Sequence, residues 1–142
     1  MIRRFRDDDV DAVMSIWLNA NLEAHTFIAS EYWLDNYDAV KKMIPGAEVW
    51  VSENGQVVDG FIGMTGDYIA GIFVDKTARA KGIGSELLRT VQKDRKRLKL
   101  RVYRRNTSAI DFYSNRGFLI EAEYMDAQTS EWEYGMVWKA TE

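Results

Sequence analysis

Ile69-Ala70-Gly71-Ile72-Phe73-Val74 is followed closely by Arg79-Ala80-Lys81-Gly82-Ile83-Gly84, and that loop leads into Ser85-Glu86-Leu87-Leu88-Arg89-Thr90-Val91. The first stretch is an apolar run of strand length. The last places Ile83, Leu87, Leu88 and Val91 on one face of a helix expected from Gly84 to Lys96. Between them the two glycines make a turn that opens the helix. A helix start leaves backbone N–H groups without partners and carries partial positive charge. Glycine lets the main chain approach a bulky anion with no Cβ in the way. The unit is therefore suited to phosphate capture. The plainer reading is a tight turn that needs glycine for backbone reasons alone. A second patterned stretch decides between them: Asn106-Thr107-Ser108-Ala109-Ile110-Asp111-Phe112-Tyr113-Ser114-Asn115-Arg116-Gly117-Phe118.

On either side of this unit the chain alternates between the two periodicities. Ile2 to Phe5 reads as a short strand, and Asp7-Asp8-Asp9 offers a helix cap. Val10, Val13, Met14, Trp17 and Leu18 recur at helical spacing, which predicts a helix from Val10 to Ala20. Ser30 is placed to cap a second helix carrying Trp33, Leu34, Tyr37, Val40 and Ile44, ended by Pro45-Gly46. Asn54-Gly55 between Val49–Ser52 and Val57–Met64 is a hairpin signal. Strands are expected at Tyr68–Val74, Leu98–Tyr103, Phe118–Tyr124 and Glu133–Lys139, with a short helix at Ser108–Arg116 ended by Gly117. The order β-α-α-β-β-β-α-β-α-β-β predicts a mixed, partly antiparallel α/β sheet, with a crossover helix between two parallel strands.

Composition narrows the function classes. A chain of 142 residues suits one domain, residues 1–142, with a substantial core. Its net charge of −3 and pI near 5.3 speak against general nucleic-acid binding. No apolar run reaches the roughly 20 residues of a membrane span, and the N-terminus has no hydrophobic signal segment. There is no cysteine, so disulfides, thiolate metal sites and a cysteine nucleophile are excluded. A cytoplasmic protein is expected, with no metal, membrane or nucleic-acid partner.

The two stretches resemble the motifs of the GNAT superfamily of N-acetyltransferases. The family's acyl-CoA motif, Gln/Arg-x-x-Gly-x-Gly/Ala, is matched by Arg79, Gly82 and Gly84. Its later motif, Asn-x-x-Ala-x-x-Phe-Tyr-x-x-x-Gly-Phe, is matched by Asn106, Ala109, Phe112, Tyr113, Gly117 and Phe118. The strand end Ile72-Phe73-Val74-Asp75 also fits, although Lys76 stands where the family usually has proline. The resemblance implies a GNAT-like α/β fold, with a mixed, partly antiparallel sheet flanked by helices. It implies acetyl-CoA as co-substrate and direct attack by a primary amine in a ternary complex. The N-terminal half is most similar to small bacterial members whose substrates are mostly unassigned. Such members are often homodimers.

The same resemblance distributes roles. Arg79, Ala80, Lys81, Gly82, Ile83, Gly84 and Ser85 would hold the pyrophosphate of coenzyme A. Phe73 and Val74 would offer a strand edge to the pantetheine amides. Asn106 would bond the pantetheine, cap its helix, or do both. Tyr113 would be the general acid that protonates the departing thiolate; on its pattern alone it reads rather as a buried aromatic, and the resemblance reverses that. A general base is less visible. Some relatives carry a carboxylate in the strand before the loop, but Ala70 and Gly71 stand there. Asp67, Tyr68, Glu23, His25 or a water chain are left. His25, Phe27, Tyr32 and Asp67 are expected to line the acceptor pocket, with Glu23-Ala24-His25-Thr26-Phe27 as one wall, and the acid, imidazole and aromatic of that segment suit a small polar amine. The basic run from Lys93 to Arg105 holds eight Lys or Arg residues against one acid, Asp94. It reads as a solvated face, as a contact for the 3′-phosphate through Arg104 or Arg105, or as an RNA site. Beside the enzyme stands a second class, a non-catalytic acyl-CoA-binding or interaction module.

Overall fold

The computed structural model describes residues 1–141. Its elements are β1 (Ile2–Arg4), α1 (Val10–Ala24), α2 (Ser30–Met43), β2 (Glu48–Asn54), β3 (Val57–Thr65), β4 (Tyr68–Val74), α3 (Ile83–Gln92), β5 (Arg97–Tyr103), α4 (Thr107–Ser114), β6 (Leu119–Asp126) and β7 (Glu131–Lys139). The strands form one sheet in the order β1-β2-β3-β4-β5-β7-β6. β4 and β5 run parallel, linked by α3, and every other neighbouring pair is antiparallel. The element order is the expected one, including the crossover helix.

Alternation along the strands divides the interior in two. Ile62, Met64, Ile69, Leu98, Leu100 and Met136 face Leu87, Leu88 and Val91 of α3, with Tyr113 and Phe118. Val49, Val51, Phe61 and Tyr103 face Val13, Met14, Ile16 and Trp17 of α1 and Trp33 of α2. Neighbours such as Phe61 and Ile62 thus point to opposite faces, as the period of two requires. Each layer buries apolar surface that stabilises at about 25 cal/mol per Å².

Local departures from the expected boundaries have identifiable causes. α1 runs a turn beyond Ala20 because the Asn21 side chain donates back to the Trp17 carbonyl at 2.9 Å, so a polar residue stays satisfied inside the helix. Glu23 therefore belongs to α1, and His25 closes it through a 2.9 Å bond from its N–H to the Asn21 carbonyl. Asp9 does not cap α1 with its side chain. It is buried, accepts the Arg6 N–H at 2.7 Å and pairs with Arg3 at 2.8 and 2.9 Å. Ser30 is the first residue of α2 rather than its cap, which falls at Ala29. α3 stops at Gln92 rather than Lys96, where Arg95 reaches back to the Val91 carbonyl at 3.2 Å. β7 starts two residues before Glu133, directly after Ser130 turns the hairpin at φ 60°.

One irregularity positions the site. β4 and β5 pair only through Tyr68 with Lys99 and Ile69 with Leu100. Beyond that point the strands part. Ala70 is an extra residue opposite β3, where the register shifts between Gly63 and Met64. A bulge bends its strand and increases twist, and here it accompanies the separation of β4 from β5. The outer edge of Ala70–Val74 is left without a strand neighbour.

Candidate cofactor groove and active site

The parted strands open into a groove of about 690 Å³. Its walls come from the end of α1, Ile72–Val74 of β4, the loop into α3, and the segment from Arg105 through α4. Both motifs thus meet across one space.

The loop is built for backbone exposure. Ala80 and Gly82 both have positive φ, 65° and 79°. Gly82 is the residue from which α3 springs, and its carbonyl accepts the Glu86 N–H at 3.0 Å. The N–H groups of Ile83, Gly84 and Ser85 precede the first intrahelical bond and face no acceptor in the helix. A Cβ at Gly82 would meet nothing within 4 Å, so the space beside the turn is open. Gly84 has a different reason. A Cβ there would stand 3.3 Å from the Phe112 ring, so its absence lets α3 close on α4.

Arg116 is a site residue that motif reading passes over. Its guanidinium donates to Ser85 Oγ at 2.9 and 2.6 Å and to the Phe112 carbonyl at 2.8 Å, and it lies 3.8 Å over the Phe112 ring. A fixed positive charge therefore joins the unpaired N–H groups at the head of α3. The signal available in the sequence was a lone cation inside the second motif, and only folding brings it across to Ser85.

Arg79 lines the same groove with its guanidinium already engaged. It pairs with Glu23 of α1 and donates to the Val74 carbonyl at 3.3 Å. Lys81 lies in the same loop, between Ala80 and Gly82. Phe73 sends its ring to the α1 face, 5.1 Å from Phe61, and only its backbone belongs to the free edge. Gly71 is needed here, because a Cβ would fall 2.4 Å from that ring.

Tyr113 is 7% exposed and lines the inner part of the groove. Its hydroxyl makes no hydrogen bond to protein among the described residues. Burial, and then the neighbouring Tyr68, push the phenol well above its usual range, so it stays protonated at neutral pH. Asn106 opens α4. Its Oδ1 accepts the Ala109 N–H at 3.2 Å, which orients the amide and aims Nδ2 at His25 Nε2, 3.1 Å away. An amide nitrogen only donates, so Nε2 accepts and the imidazole proton sits on Nδ1. Nδ1 is buried without a partner. His25 stacks on Trp33 with centroids 5.2 Å apart and meets Phe27 and Tyr103 edge-on. Burial lowers its pKa to about 4, leaving it neutral near pH 7.

The structure spreads the expected acceptor residues apart. His25 reaches the groove beside Asn106, and Phe27 lies under the Arg105 guanidinium at 4.8 Å. Tyr32 does not line the groove and donates to Gln128 Oε1 at 3.3 Å. Asp67 lies in the β3–β4 turn, 3.7 Å from Arg95 and 3.8 Å from Arg97. Arg105 lines the groove, whereas Arg104 sits over Trp132 and near Glu123. No group of side chains with metal-ligand geometry occurs among the described residues, and no helix among them is long and apolar enough to cross a membrane.

The groove fits coenzyme A by its own features: an anion-ready helix start, open space beside Gly82, a fixed cation and an unpaired strand edge. Comparison with known proteins agrees. Residues 45–120 match the family model described as an acetyltransferase (GNAT) domain. The chain is 33% identical over 129 residues to the peptidyl-lysine N-acetyltransferase YiaC of Escherichia coli, covering 89% of this chain and 88% of that protein. The solution structure of apo YjaB from Escherichia coli superposes with a TM-score of 0.87 at 24% identity, over 99% of this chain and 98% of that one. A Bacillus anthracis acetyltransferase solved with acetyl coenzyme A superposes at 0.61 with 20% identity, over 67% of this chain and 63% of that one. The chain therefore belongs to the GNAT acetyltransferases and is an acyltransferase with acetyl-CoA as its donor.

Proposed function

We propose that this enzyme transfers the acetyl group of acetyl-CoA to the ε-amine of a peptide-borne lysine, with Tyr113 as the general acid. The observation that carries the reading is the unpaired Tyr113 hydroxyl in a groove that also holds the free N–H groups at the head of α3 and the Arg116 guanidinium. The name of the relative at 33% identity favours a lysine side chain over the small polar amine that the Glu23–Phe27 segment suggested, with His25, Phe27, Tyr32 and Asp67 as its expected pocket. The scatter of those four residues speaks the same way, since they do not enclose one small pocket.

Roles for the chain's own residues follow from position. The N–H groups of Ile83, Gly84 and Ser85, with Arg116 behind them, would hold the pyrophosphate through charge-assisted bonds of about 1.5–3 kcal/mol each. The backbone edge of Phe73 and Val74 would pair with the pantetheine amides, which requires Arg79 to release the Val74 carbonyl. Asn106, oriented by Ala109 and backed by His25, would contact the same arm. When bound, acetyl-CoA supplies an activated acetyl thioester. Tyr113 is protonated at working pH and would give its proton to the sulfur as the C–S bond breaks.

The test is release of free thiol from acetyl-CoA with a lysine peptide, a peptide with a free N-terminus but no lysine, and a set of small amines. Faster turnover on the lysine peptide supports the reading. Preference for a small amine or an α-amine overturns the acceptor assignment.

A further inference from the structure

We propose that Glu133 is the carboxylate that receives the acceptor's ammonium group and takes the proton it must lose before attack; this rests on the acetyl-transfer reading above. Glu133 lies on β7, paired with Tyr103 of β5 on one side and Tyr124 of β6 on the other. Tyr103 packs with the α1–α2 layer, so this register puts Glu133 on the same sheet face. Tyr68 shares that face on β4, where it pairs with Lys99, two residues before Arg101 and four before Tyr103. Glu133 thus lies beside the parted end of β5, four residues beyond the Tyr68–Lys99 pair, on the face opposite the α3–α4 layer that holds Tyr113.

The carboxylates nearest to Glu133 in register, and those elsewhere along the groove and the β3–β4 turn, are engaged. Asp126 accepts from the Tyr103 hydroxyl at 2.8 Å and from the Gln128 N–H at 3.0 Å. Glu131 pairs with Arg105 at 3.4 Å, Glu23 with Arg79, and Asp67 with Arg95 and Arg97. Glu133 has no ion pair and no side-chain hydrogen bond among the described residues, although it is half-buried. Its nearest cation in register, Arg101, is drawn aside and lies 3.8 Å over the Tyr124 ring. A half-buried carboxylate left without a partner is costly, and an incoming ammonium would relieve that cost.

The groups facing Glu133 are Arg101 and Tyr103 from β5, Tyr124 and Asp126 from β6, Tyr68 from β4 and Tyr32 from α2. Burial, and then the charge of Asp126, raise its carboxyl above the usual range, while Arg101 opposes them. Both Tyr32 and Tyr68 are raised by burial and further by the Glu133 charge, so these groups share one electrostatic environment. A lysine amine has an ordinary pKa near ~10.4, so almost all of it arrives charged. Glu133 holds the ammonium and takes one proton, which passes to solvent. The neutral nitrogen forms its bond to the acetyl carbon, the C–S bond breaks, and the sulfur takes the Tyr113 proton. The second proton lost by the nitrogen restores Tyr113. The balance is one amide, one free thiol and one proton released.

Acetyl transfer to a lysine peptide is measured against pH for wild type, Glu133→Gln and Glu133→Asp. Glu133→Gln is expected to lower kcat/KM for the peptide on the order of 10²-fold near neutral pH, with the deficit shrinking as alkaline pH deprotonates the amine unaided. Affinity for acetyl-CoA should stay within about twofold (~0.4 kcal/mol). Glu133→Asp should recover part of the loss. A deficit equal at every pH, or superimposable profiles, overturns the assignment. A second measurement does not need turnover. With coenzyme A bound, calorimetry compares the lysine peptide with one carrying norleucine at that position. Wild type should favour lysine by about tenfold, or ~1.4 kcal/mol, and Glu133→Gln should lose the preference. No preference in wild type, or a preference that survives in the variant, overturns the role of Glu133. A wild type that binds lysine selectively yet acetylates no amine overturns the acetyl-transfer reading and leaves Glu133 as an ammonium site.

Discussion

Replacing Gly82 separates the two jobs its backbone does. Gly82 has φ 79°, a left-handed conformation, and immediately precedes α3. An L-residue there costs roughly 1–2 kcal/mol, and more when β-branched. For a domain of this size each kcal/mol lowers Tm by about 2–4 °C, so Gly82→Val should melt some ~2–8 °C below wild type without ligand. The added Cβ meets no protein atom within 4 Å, so the rest of the penalty is expected on binding. It projects into the groove beside the N–H groups of Ile83, Gly84 and Ser85, where the pyrophosphate would sit. Losing one charge-assisted bond, at about 1.5–3 kcal/mol, weakens acetyl-CoA by more than tenfold. Gly82→Asn is the control, because asparagine tolerates the left-handed region. It should recover much of the melting temperature and none of the affinity. Thermal shift without ligand and calorimetric titration with acetyl-CoA read the two effects separately. A folded Gly82→Asn that binds acetyl-CoA as tightly as wild type would refute the placement of the donor against this turn.

Three further outcomes are expected. Tyr113→Phe keeps the ring in its pocket and removes the proton, so kcat should fall on the order of 10²-fold while acetyl-CoA affinity barely changes; equal kcat would make Tyr113 a core residue only. Arg116→Ala removes the guanidinium that clamps Ser85 and covers Phe112, so acetyl-CoA affinity should fall about tenfold, ~1.4 kcal/mol, and lose part of its salt dependence; calorimetry at two ionic strengths decides. His25 has a folded pKa depressed to about 4, against about 6.5 when unfolded, so the unfolded chain binds the proton first. Its contribution to stability is full above pH 6.5, declines as pH falls and is gone below about 4, a loss on the order of 3 kcal/mol. Urea unfolding of wild type and His25→Phe across this window checks it, and equal slopes would remove His25 as the source.

Much of the chemistry was legible in residues that are neighbours along the chain. The loop from Arg79 to Ser85 and the stretch from Asn106 to Phe118 each carry their meaning locally. Glycine spacing reports positive φ and close approach, and apolar spacing reports strand or helix. The acceptor side was not legible in this way. His25, Phe27, Tyr32 and Asp67 looked alike in the sequence as polar or aromatic residues near helix and strand ends. Folding sends His25 into an aromatic stack, Tyr32 to Gln128 and Asp67 to two arginines.

The sequence alone determined the strand–loop–helix unit and the element order, because periodicity and glycine conformation are properties of adjacent residues; the acyl donor followed from the resemblance of the two motifs to a known family. Only the tertiary structure decided which charges are spent and which are free. Arg79 and Glu23 neutralise one another, Arg116 crosses 31 residues to Ser85, and His25 crosses 81 to Asn106. Among the described residues Glu133 has no ion pair, and the register of β5, β6 and β7 sets it beside Tyr103 and Tyr124. A charge has no intrinsic role: its partner, its burial and therefore its chemistry are set by groups distant in the chain, and those become neighbours only when the sheet closes around the gap between β4 and β5.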